Sequence, residues 1–249
     1  MLTRDSAICI RAIDYSETSQ IVTFFTREHG KIDAIAKGSK RQKSAFGGPI
    51  EMFSHGKVIF TDSDTEKLAT LTEFEADYNE VAGVNLYKNI FVLNCSFFAT
   101  ELLSKLTDDY DPHAELYDSF LQFLRDTKEQ QSNKEMMSLL IFFQLTLLKE
   151  VGLQPVLSHC ANCKRIPKPR VTSQGIYFST AANGLVCEDC EMSFPDKIKL
   201  SKQAADCFAN FRQIVRAQES TLNEIERILV HHFTNILGHS LKMAKYIVK

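Results

Sequence analysis

Four of the seven cysteines stand in two C-x-x-C pairs, Cys160 with Cys163 and Cys187 with Cys190. A C-x-x-C turn aims two sulfurs at one point, and four thiolates satisfy the tetrahedral preference of zinc. The pattern therefore predicts one bound zinc ion with these four residues as its ligands. Because four protein ligands leave no open coordination position, we expect a structural site and not a catalytic one.

Two other interpretations of the cysteines stay open. The pairs could be turns with reduced thiols and no metal. A zinc deaminase or hydrolase is the second, since deaminases use H-x-E followed by P-C-x-x-C, and His113 and Glu115 fit the first half of that motif. However, His159 and Val186 stand where the proline is required, and the second pair would have no role. Phosphate-loop, dinucleotide, metalloprotease and nucleophile-elbow motifs do not occur, so we predict a protein that is not an enzyme.

A second group of functional residues is basic. Four cations fall within seven residues, at Lys37, Lys40, Arg41 and Lys43. Cations at this spacing match successive phosphates and predict contact with nucleic acid, whereas the alternative is a solvated turn. If four phosphates of a single strand are bound, log K falls against log salt with a slope of about −3. Phe25, Phe46 and Phe53 lie nearby and could stack on unpaired bases, although Phe25 and Phe53 suit a core position better.

Five short strands are predicted to position this basic segment. They cover residues 6–13, 20–27, 31–37, 50–61 and 67–74, with a tight turn at Gly30 between the second and third. Five strands in about 75 residues favour a small closed barrel, and the OB-fold is the economical candidate. The basic segment then lies where the third strand leaves the barrel, and such loops of OB-folds commonly contact nucleic acid.

From residue 81 onward the apolar residues recur at the spacing of an amphipathic helix, which predicts helical structure. Pro112 is expected at the first helical position of a second helix, and Ser132 or Asn133 is expected to cap a buried third helix that stops at Gly152. After the cysteines, helices resume near Ser201. Phe208, Phe211, Ile214 and Val215 are expected to form one apolar face, and the final long helix is expected to stop at Gly238.

We therefore predict an α+β multidomain protein. It has a five-stranded OB-fold barrel at 1–80, an all-helical body in two parts at 81–157 and 193–249, and a small four-cysteine zinc-binding insert at 158–192.

Composition is ordinary for a folded protein, but charge is unevenly distributed. The 249 residues are 44% hydrophobic and 24% charged, with a net charge of −2, which excludes wholesale disorder and a strongly basic nucleic-acid coat. Residues 1–60 carry 9 basic and 6 acidic side chains, residues 61–150 carry 7 and 17, and residues 151–249 carry 13 and 8. The start lacks a signal-peptide pattern, and the apolar run 136–148 is too short and polar to span a bilayer, so we expect a soluble cytoplasmic protein.

Three stretches of the chain resemble the RecO family of bacterial recombination mediators and DNA repair proteins. They are SETSQIVTFFTREHGK at 16–31 with AKGSKR at 36–41, the two C-x-x-C pairs with GLVCEDC at 184–190, and LGHSLK at 237–242. The resemblance spans the chain in the order of the predicted modules. The N-terminal stretch is specific for this family, whereas a four-cysteine site alone is not.

The resemblance implies an N-terminal OB-fold, a helical domain and a zinc-binding insert. It also implies binding to single- and double-stranded DNA, annealing of complementary strands, and work on the bacterial nucleoid. The implied partners are RecR, the acidic C-terminal tail of single-stranded DNA-binding protein and, indirectly, the RecA recombinase. By matching position, Lys37, Lys40 and Arg41 inherit DNA contact and the four cysteines inherit zinc ligation.

One departure from the family concerns positive charge. Many relatives carry more arginine in the basic segment and at the C-terminal end, where this chain has Lys242 and Lys245. DNA binding would then depend more heavily on the basic segment. A rival hypothesis is an adaptor that docks the other repair proteins and binds little DNA itself.

Overall fold

A computed structural model of the chain describes residues 2–41, 43–61, 68–77, 89–129, 132–166 and 175–248. The chain divides into two compact units, Met1–Glu129 and Gln130–Lys249. Within the described residues, the first unit holds a β-barrel and two helices, and the second holds three α-helices and a small sheet. The predicted combination of barrel, helical body and four-cysteine insert is confirmed. The predicted domain limits stay a prediction.

Five strands close the N-terminal barrel. They are β1 (Leu2–Asp14), β2 (Gln20–Thr26), β3 (Gly30–Ala36), β4 (His55–Thr61) and β5 (Ala69–Ala76). Their order is β1-β2-β3-β5-β4, with β3 and β5 parallel and the other pairs antiparallel, which is the expected OB-fold. β1 closes the barrel because its first half pairs with β4 and its second half pairs with β2. Alternate residues of β3, such as Ile32 and Ala34, enter the barrel core.

The fourth strand begins later than the predicted range of 50–61. Phe53 adopts a left-handed φ of 67°, its N–H donates to the Cys9 carbonyl at 2.8 Å, and the N–H of Ser54 returns to the Glu51 carbonyl at 3.2 Å. This turn places the ring of Phe53 in the core, where it is fully buried. Burial of the aromatic ring offsets the cost of a backbone conformation that phenylalanine rarely adopts.

Two helices complete the first unit, α1 (Ile90–Leu106) and α2 (Ala114–Asp126). Asn89 caps α1 by accepting from two N–H groups of the first turn. The earlier part of the predicted helix lies outside the described residues. Pro112 does not occupy the first helical position, because it precedes the N-cap residue His113. The chain just before it is held by β3 instead, since the N–H of Tyr110 donates to the carbonyl of Lys31 at 3.0 Å.

The hairpin between β2 and β3 attaches the barrel to these helices. Lys31 Nζ donates to the carbonyl oxygens of Ser104 and Thr107, both at 2.9 Å, and so satisfies the C-terminal end of α1. Gly30 has a φ of 70°, and a Cβ at that position would overlap the backbone of Asp111. The His-Gly-Lys stretch that carries part of the family resemblance therefore has a structural role in joining barrel and helices.

The second unit is built on three α-helices within the described residues, α3 (Asn133–Glu150), α4 (Lys202–Ala209) and α5 (Glu219–Leu237). Ser132 and Glu135 form a capping box at the start of α3, which confirms the predicted cap. Ser201 caps α4, and α5 ends at Gly238 with a φ of 71°, both as predicted. α3 buries residues around most of its circumference, as expected of a central helix.

The predicted apolar face after α4 is only partly right. Phe208 and Ile214 are buried, but Phe211 and Val215 are exposed. The reason is that α4 ends at Ala209 and is followed by a 3-10 helix, Phe211–Arg216. Three residues per turn in place of 3.6 rotate successive side chains away from the α-helical register.

A small sheet lies between α3 and α4. Its strands are β6 (Ile176–Ser179), β7 (Gly184–Cys187) and β8 (Ile198–Lys199), in the order β7-β6-β8. A 3-10 helix, Glu188–Ser193, follows β7. Across the described part of the chain, no helix combines the length and apolar character needed to cross a membrane.

Candidate nucleic-acid interface and metal centre

The basic residues predicted to contact DNA lie on the loop after β3, which we call the basic loop (residues 37–49). Lys37, Arg41 and Lys43 are exposed, and none of them forms an ion pair with a residue that the structure describes. Three such cations on one loop of the barrel can each neutralise a phosphate. Their assignment as a DNA site stays a prediction.

Lys40 differs from the other three cations. Its Nζ lies 2.6 Å from a carboxylate oxygen of Asp14, at the end of β1, and its backbone N–H donates to the carbonyl of Thr18 at 3.1 Å. The ion pair offsets one positive charge of the basic loop and ties that loop to the β1–β2 connection. Nothing in the local sequence indicates this pairing, because the two residues are 26 positions apart.

Gln20 anchors both ends of the basic loop, a role that the sequence analysis missed. Its side-chain oxygen accepts from the hydroxyl of Ser39 at 2.9 Å and from the N–H of Ile50 at 2.9 Å. Its amide nitrogen donates to the carbonyl of Ile50 at 3.2 Å. All three residues are buried, so these hydrogen bonds are shielded from water and hold the two ends of the loop in place. The available signal was a glutamine as the first residue of a strand rich in Ile, Val and Phe.

The phenylalanines considered as stacking platforms are not available for stacking. Phe25 and Phe53 are fully buried, and Phe46 is 7% exposed. Phe46 belongs to the core of the barrel itself. The hypothesis that these rings contact bases is therefore wrong, because each ring is needed to fill the interior of the first unit.

The structure brings the four predicted metal ligands together. The Sγ atoms of Cys160, Cys163, Cys187 and Cys190 all lie within 4.8 Å of one another. The Sγ atoms of Cys163 and Cys187 are 3.7 Å apart, and sulfurs at about 2.3 Å from a tetrahedral zinc would be about 3.8 Å apart. Cys160 and Cys190 are buried and the other two are half-buried, so the cluster is largely closed to solvent.

Local backbone structure fixes the two cysteine pairs side by side. The N–H of Ala161, inside the first pair, donates to the carbonyl of Leu185 on β7 at 2.7 Å. Gly184 opens β7 with a φ of 153°, and a Cβ there would overlap the carbonyl oxygen of Val156. Glycine is required at this position because the chain leading to the first pair passes directly against β7. The second pair then starts at the last residue of that strand.

The electrostatics of the cluster suit a cation. Burial raises the pKa of the Cys160 thiol, but backbone N–H groups of three neighbouring residues outweigh burial and lower that pKa to about 7. Burial and the sulfurs of the other three cysteines raise the pKa of Cys187 to about 12. Four thiolates at this spacing need a positive charge among them, and metal coordination deprotonates a thiol outright. Four sulfur donors, with N–H groups directed at one of them, fit zinc.

The H-x-E pair lies apart from any such donor set. His113 Nε2 is 3.1 Å from a carboxylate oxygen of Asp111. In the portion of the chain that the structure describes, neither His113 nor Glu115 belongs to a group of three or more metal-binding side chains. Deaminase chemistry needs a metal-bound water beside the glutamate, and the described ligand geometry does not provide one at Glu115.

Comparison with known proteins gives the same family in both halves of the chain. The family model described as "Recombination protein O N terminal" matches residues 1–78, and "Recombination protein O C terminal" matches residues 88–244. The DNA repair protein RecO of Bacillus pumilus is 29% identical over 255 residues, covering 99% of this chain and 94% of the relative. RecO of Bacillus subtilis is 28% identical with the same coverage. RecO of Listeria monocytogenes is 32% identical over 183 residues, which are 74% of this chain and 66% of the relative.

Proposed function

The chain belongs to the RecO family of DNA repair and recombination proteins, and from this membership we propose that it is a non-enzymatic recombination mediator. It binds single- and double-stranded DNA and anneals complementary strands. With RecR it helps to load the RecA recombinase onto strands coated by single-stranded DNA-binding protein, whose acidic C-terminal tail it binds. The protein acts in the cytoplasm, on the bacterial nucleoid.

The observation that carries the proposal is the basic loop. Three exposed cations, Lys37, Arg41 and Lys43, stand on a loop whose ends are held by the buried side chain of Gln20. A fixed set of cations binds phosphates at a lower entropic cost than a mobile set. Cations that neutralise phosphates on two strands reduce the repulsion between those strands and so allow pairing. No covalent bond changes in this process, so no catalytic residue is proposed.

The four cysteines would hold one structural zinc ion in this proposal. The bound metal supplies a positive charge that stabilises four thiolates and cross-links the two C-x-x-C pairs. The backbone N–H groups around Cys160 and the contact of Ala161 with β7 support the ligands in the required arrangement. The predicted modules, 1–80 for DNA binding, 81–157 with 193–249 for the helical body, and 158–192 for the insert, are part of the same proposal.

Strand annealing by the purified protein at low and high salt tests this function. We expect annealing that weakens with salt and that is lost when Lys37, Lys40 and Arg41 are all changed to alanine. Because these side chains lie on the surface or at its edge, the triple variant is expected to keep the thermal stability of the wild type within about 1 kcal/mol. Annealing that persists in a folded triple variant would instead favour the basic C-terminal residues Lys242 and Lys245 as the DNA site.

The rival function has a distinct outcome in the same experiment. If neither the wild type nor the variant anneals or binds DNA, the adaptor hypothesis is favoured. Binding to RecR that survives neutralisation of the loop would then support it.

A further inference from the structure

Tyr15 is the aromatic side chain that the described barrel presents to solvent. It lies just after β1 and is 63% exposed. Every phenylalanine of the described barrel is buried in the interior. Ile13, two residues earlier near the end of β1, is 40% exposed. Tyr15 and Ile13 therefore place exposed apolar area on the surface at this end of β1.

This surface borders the basic loop. Asp14, the neighbour of Tyr15, forms the 2.6 Å ion pair with Lys40. The N–H of Gly38 donates to the hydroxyl of Ser19 at 3.3 Å, so the β1–β2 connection and the basic loop form one continuous surface.

The backbone of Tyr15 is itself held in place. Its N–H donates to the carbonyl of Ser19 at 2.9 Å. The ring is therefore attached to a fixed turn, and most of the residue is exposed to solvent. Such an arrangement gives an aromatic platform at little further entropic cost.

We propose that Tyr15 stacks on an unpaired base of single-stranded DNA whose phosphates are bound by the basic loop. The inference rests on the proposed function, and it adds a means of distinguishing single strands from duplexes. Every base has a π-face, so stacking requires no particular sequence. In a duplex the faces of the bases are already covered by their neighbours, and Tyr15 then contributes little.

The test compares variants at Tyr15 on matched DNA probes. Tyr15→Ala is expected to weaken binding of a fluorescein-labelled single-stranded oligonucleotide by about 5- to 150-fold, the range for loss of one stacked base. Tyr15→Phe keeps the ring and is expected to bind within about 2-fold of the wild type. Binding to a duplex of the same length is expected to be unchanged in both variants. Tyr110→Ala, which removes an exposed tyrosine beside the end of β3 opposite to the basic loop, is the matched control and should bind normally.

A spectroscopic readout separates stacking from a change of structure. A single-stranded probe with one 2-aminopurine should lose fluorescence on binding the wild type or Tyr15→Phe, but not on binding Tyr15→Ala. An oligonucleotide with abasic sites in place of its bases should bind the wild type as weakly as the normal strand binds Tyr15→Ala.

Three results would overturn the inference while leaving the proposed function intact. They are equal weakening on single strands and duplexes, no weakening at all in Tyr15→Ala, and equal weakening in Tyr110→Ala. Failure of the proposed function has a different signature, because the wild type would then bind neither probe.

Discussion

In the proposed DNA site, Asp14 is expected to control how much of the positive charge of the basic loop is available to DNA. Four cations were counted from the sequence, but the carboxylate of Asp14 already binds Lys40 at 2.6 Å. A phosphate that approaches Lys40 must displace this carboxylate or accept its repulsion. Among the described residues, the wild type therefore presents three cations without an ion-pair partner, at Lys37, Arg41 and Lys43, and one that is internally neutralised.

Replacing Asp14 by asparagine should increase the salt dependence of binding to a single strand. Three phosphate contacts predict a slope of log K against log salt of about −2 for the wild type, and release of Lys40 moves the slope to about −3. We expect Asp14→Asn to bind several-fold more tightly at low salt, as measured by fluorescence anisotropy of a labelled oligonucleotide over a salt series.

The matched control for this prediction is Asp33→Asn. The carboxylate of Asp33 accepts a hydrogen bond from Thr23 at 2.5 Å and does not pair with a cation of the basic loop. Asp33→Asn changes the net charge by the same amount as Asp14→Asn. An increase in the salt slope that occurs only in Asp14→Asn therefore identifies the ion pair with Lys40 as the cause. Equal slopes for the wild type and Asp14→Asn would show that the ion pair does not decide whether Lys40 contacts phosphate.

Among the elements, the four-cysteine insert is the one whose stability we expect to depend most on a bound metal. Its three described strands have four, four and two residues, and sheets this small are marginal in water. The hydrophobic cluster around the sulfurs has Cys160, Val186 and Cys190 as its buried residues, and Tyr177, Ala182 and Phe194 are only partly buried against them. This part of the insert therefore buries little apolar surface to offset the entropy of ordering the segment. We expect metal coordination to supply a large part of its stability.

Removing the metal should unfold the insert. Structural zinc contributes about 10–16 kcal/mol in small zinc peptides at neutral pH, which is as large as the whole stability of a typical domain. We expect about one zinc per chain in the purified protein, by analogy with four-cysteine sites. Chelation or Cys187→Ser should remove it and lower the melting temperature, as followed by elemental analysis and calorimetry.

Cys207→Ser is the control for loss of a thiol outside the cluster. Cys207 is buried on α4, so its replacement tests packing without touching the metal ligands. The variant should keep its zinc. A protein that lacks metal yet melts at the wild-type temperature would exclude a structural role for the cluster.

At the scale of the whole chain, the modules could be predicted because their signals are local. The two C-x-x-C pairs, the cap at Ser132 and the stop at Gly238 each depend on a few adjacent residues, and all appear in the structure. What could not be predicted depends on contacts between distant positions. Gln20 meets Ile50 across 30 residues, and the left-handed turn at Phe53 forms because a cavity in the core accepts its ring.

Two buried titratable groups of α5, Glu226 and His232, are expected to change the free energy of unfolding in opposite directions as pH rises. Glu226 is fully buried, and Gln144 Nε2 donates to both of its carboxylate oxygens, at 2.8 and 3.0 Å. Burial raises the pKa of Glu226 to about 7, although the bond from Gln144 lowers it in part. Burial, with a smaller effect of His231, lowers the pKa of His232 to about 4.

Glu226→Gln is therefore expected to stabilise the protein at pH 8 and to have much less effect at pH 5. The carboxyl titrates near 4.5 when exposed and near 7 when folded, so the folded state loses stability as pH rises through this window. The cost at pH 8 is about 3 kcal/mol, and urea unfolding followed by circular dichroism at the two pH values measures it. The control is Glu219→Gln, at the exposed start of the same helix. It should change the free energy of unfolding by less than about 1 kcal/mol at both pH values.

His232 has the opposite dependence, because its unfolded form takes up a proton near pH 6.5 whereas the folded form resists one down to about pH 4. Between about pH 4.5 and 6.5, rising pH lowers the free energy of unfolding through Glu226 and raises it through His232. Above pH 6.5 only the loss of stability from Glu226 remains. The gain from Glu226→Gln should therefore increase between pH 5 and pH 8 and stay constant above that. A gain of equal size at pH 5 and pH 8 would mean that the substitution improves packing against Gln144 and that no buried charge is relieved.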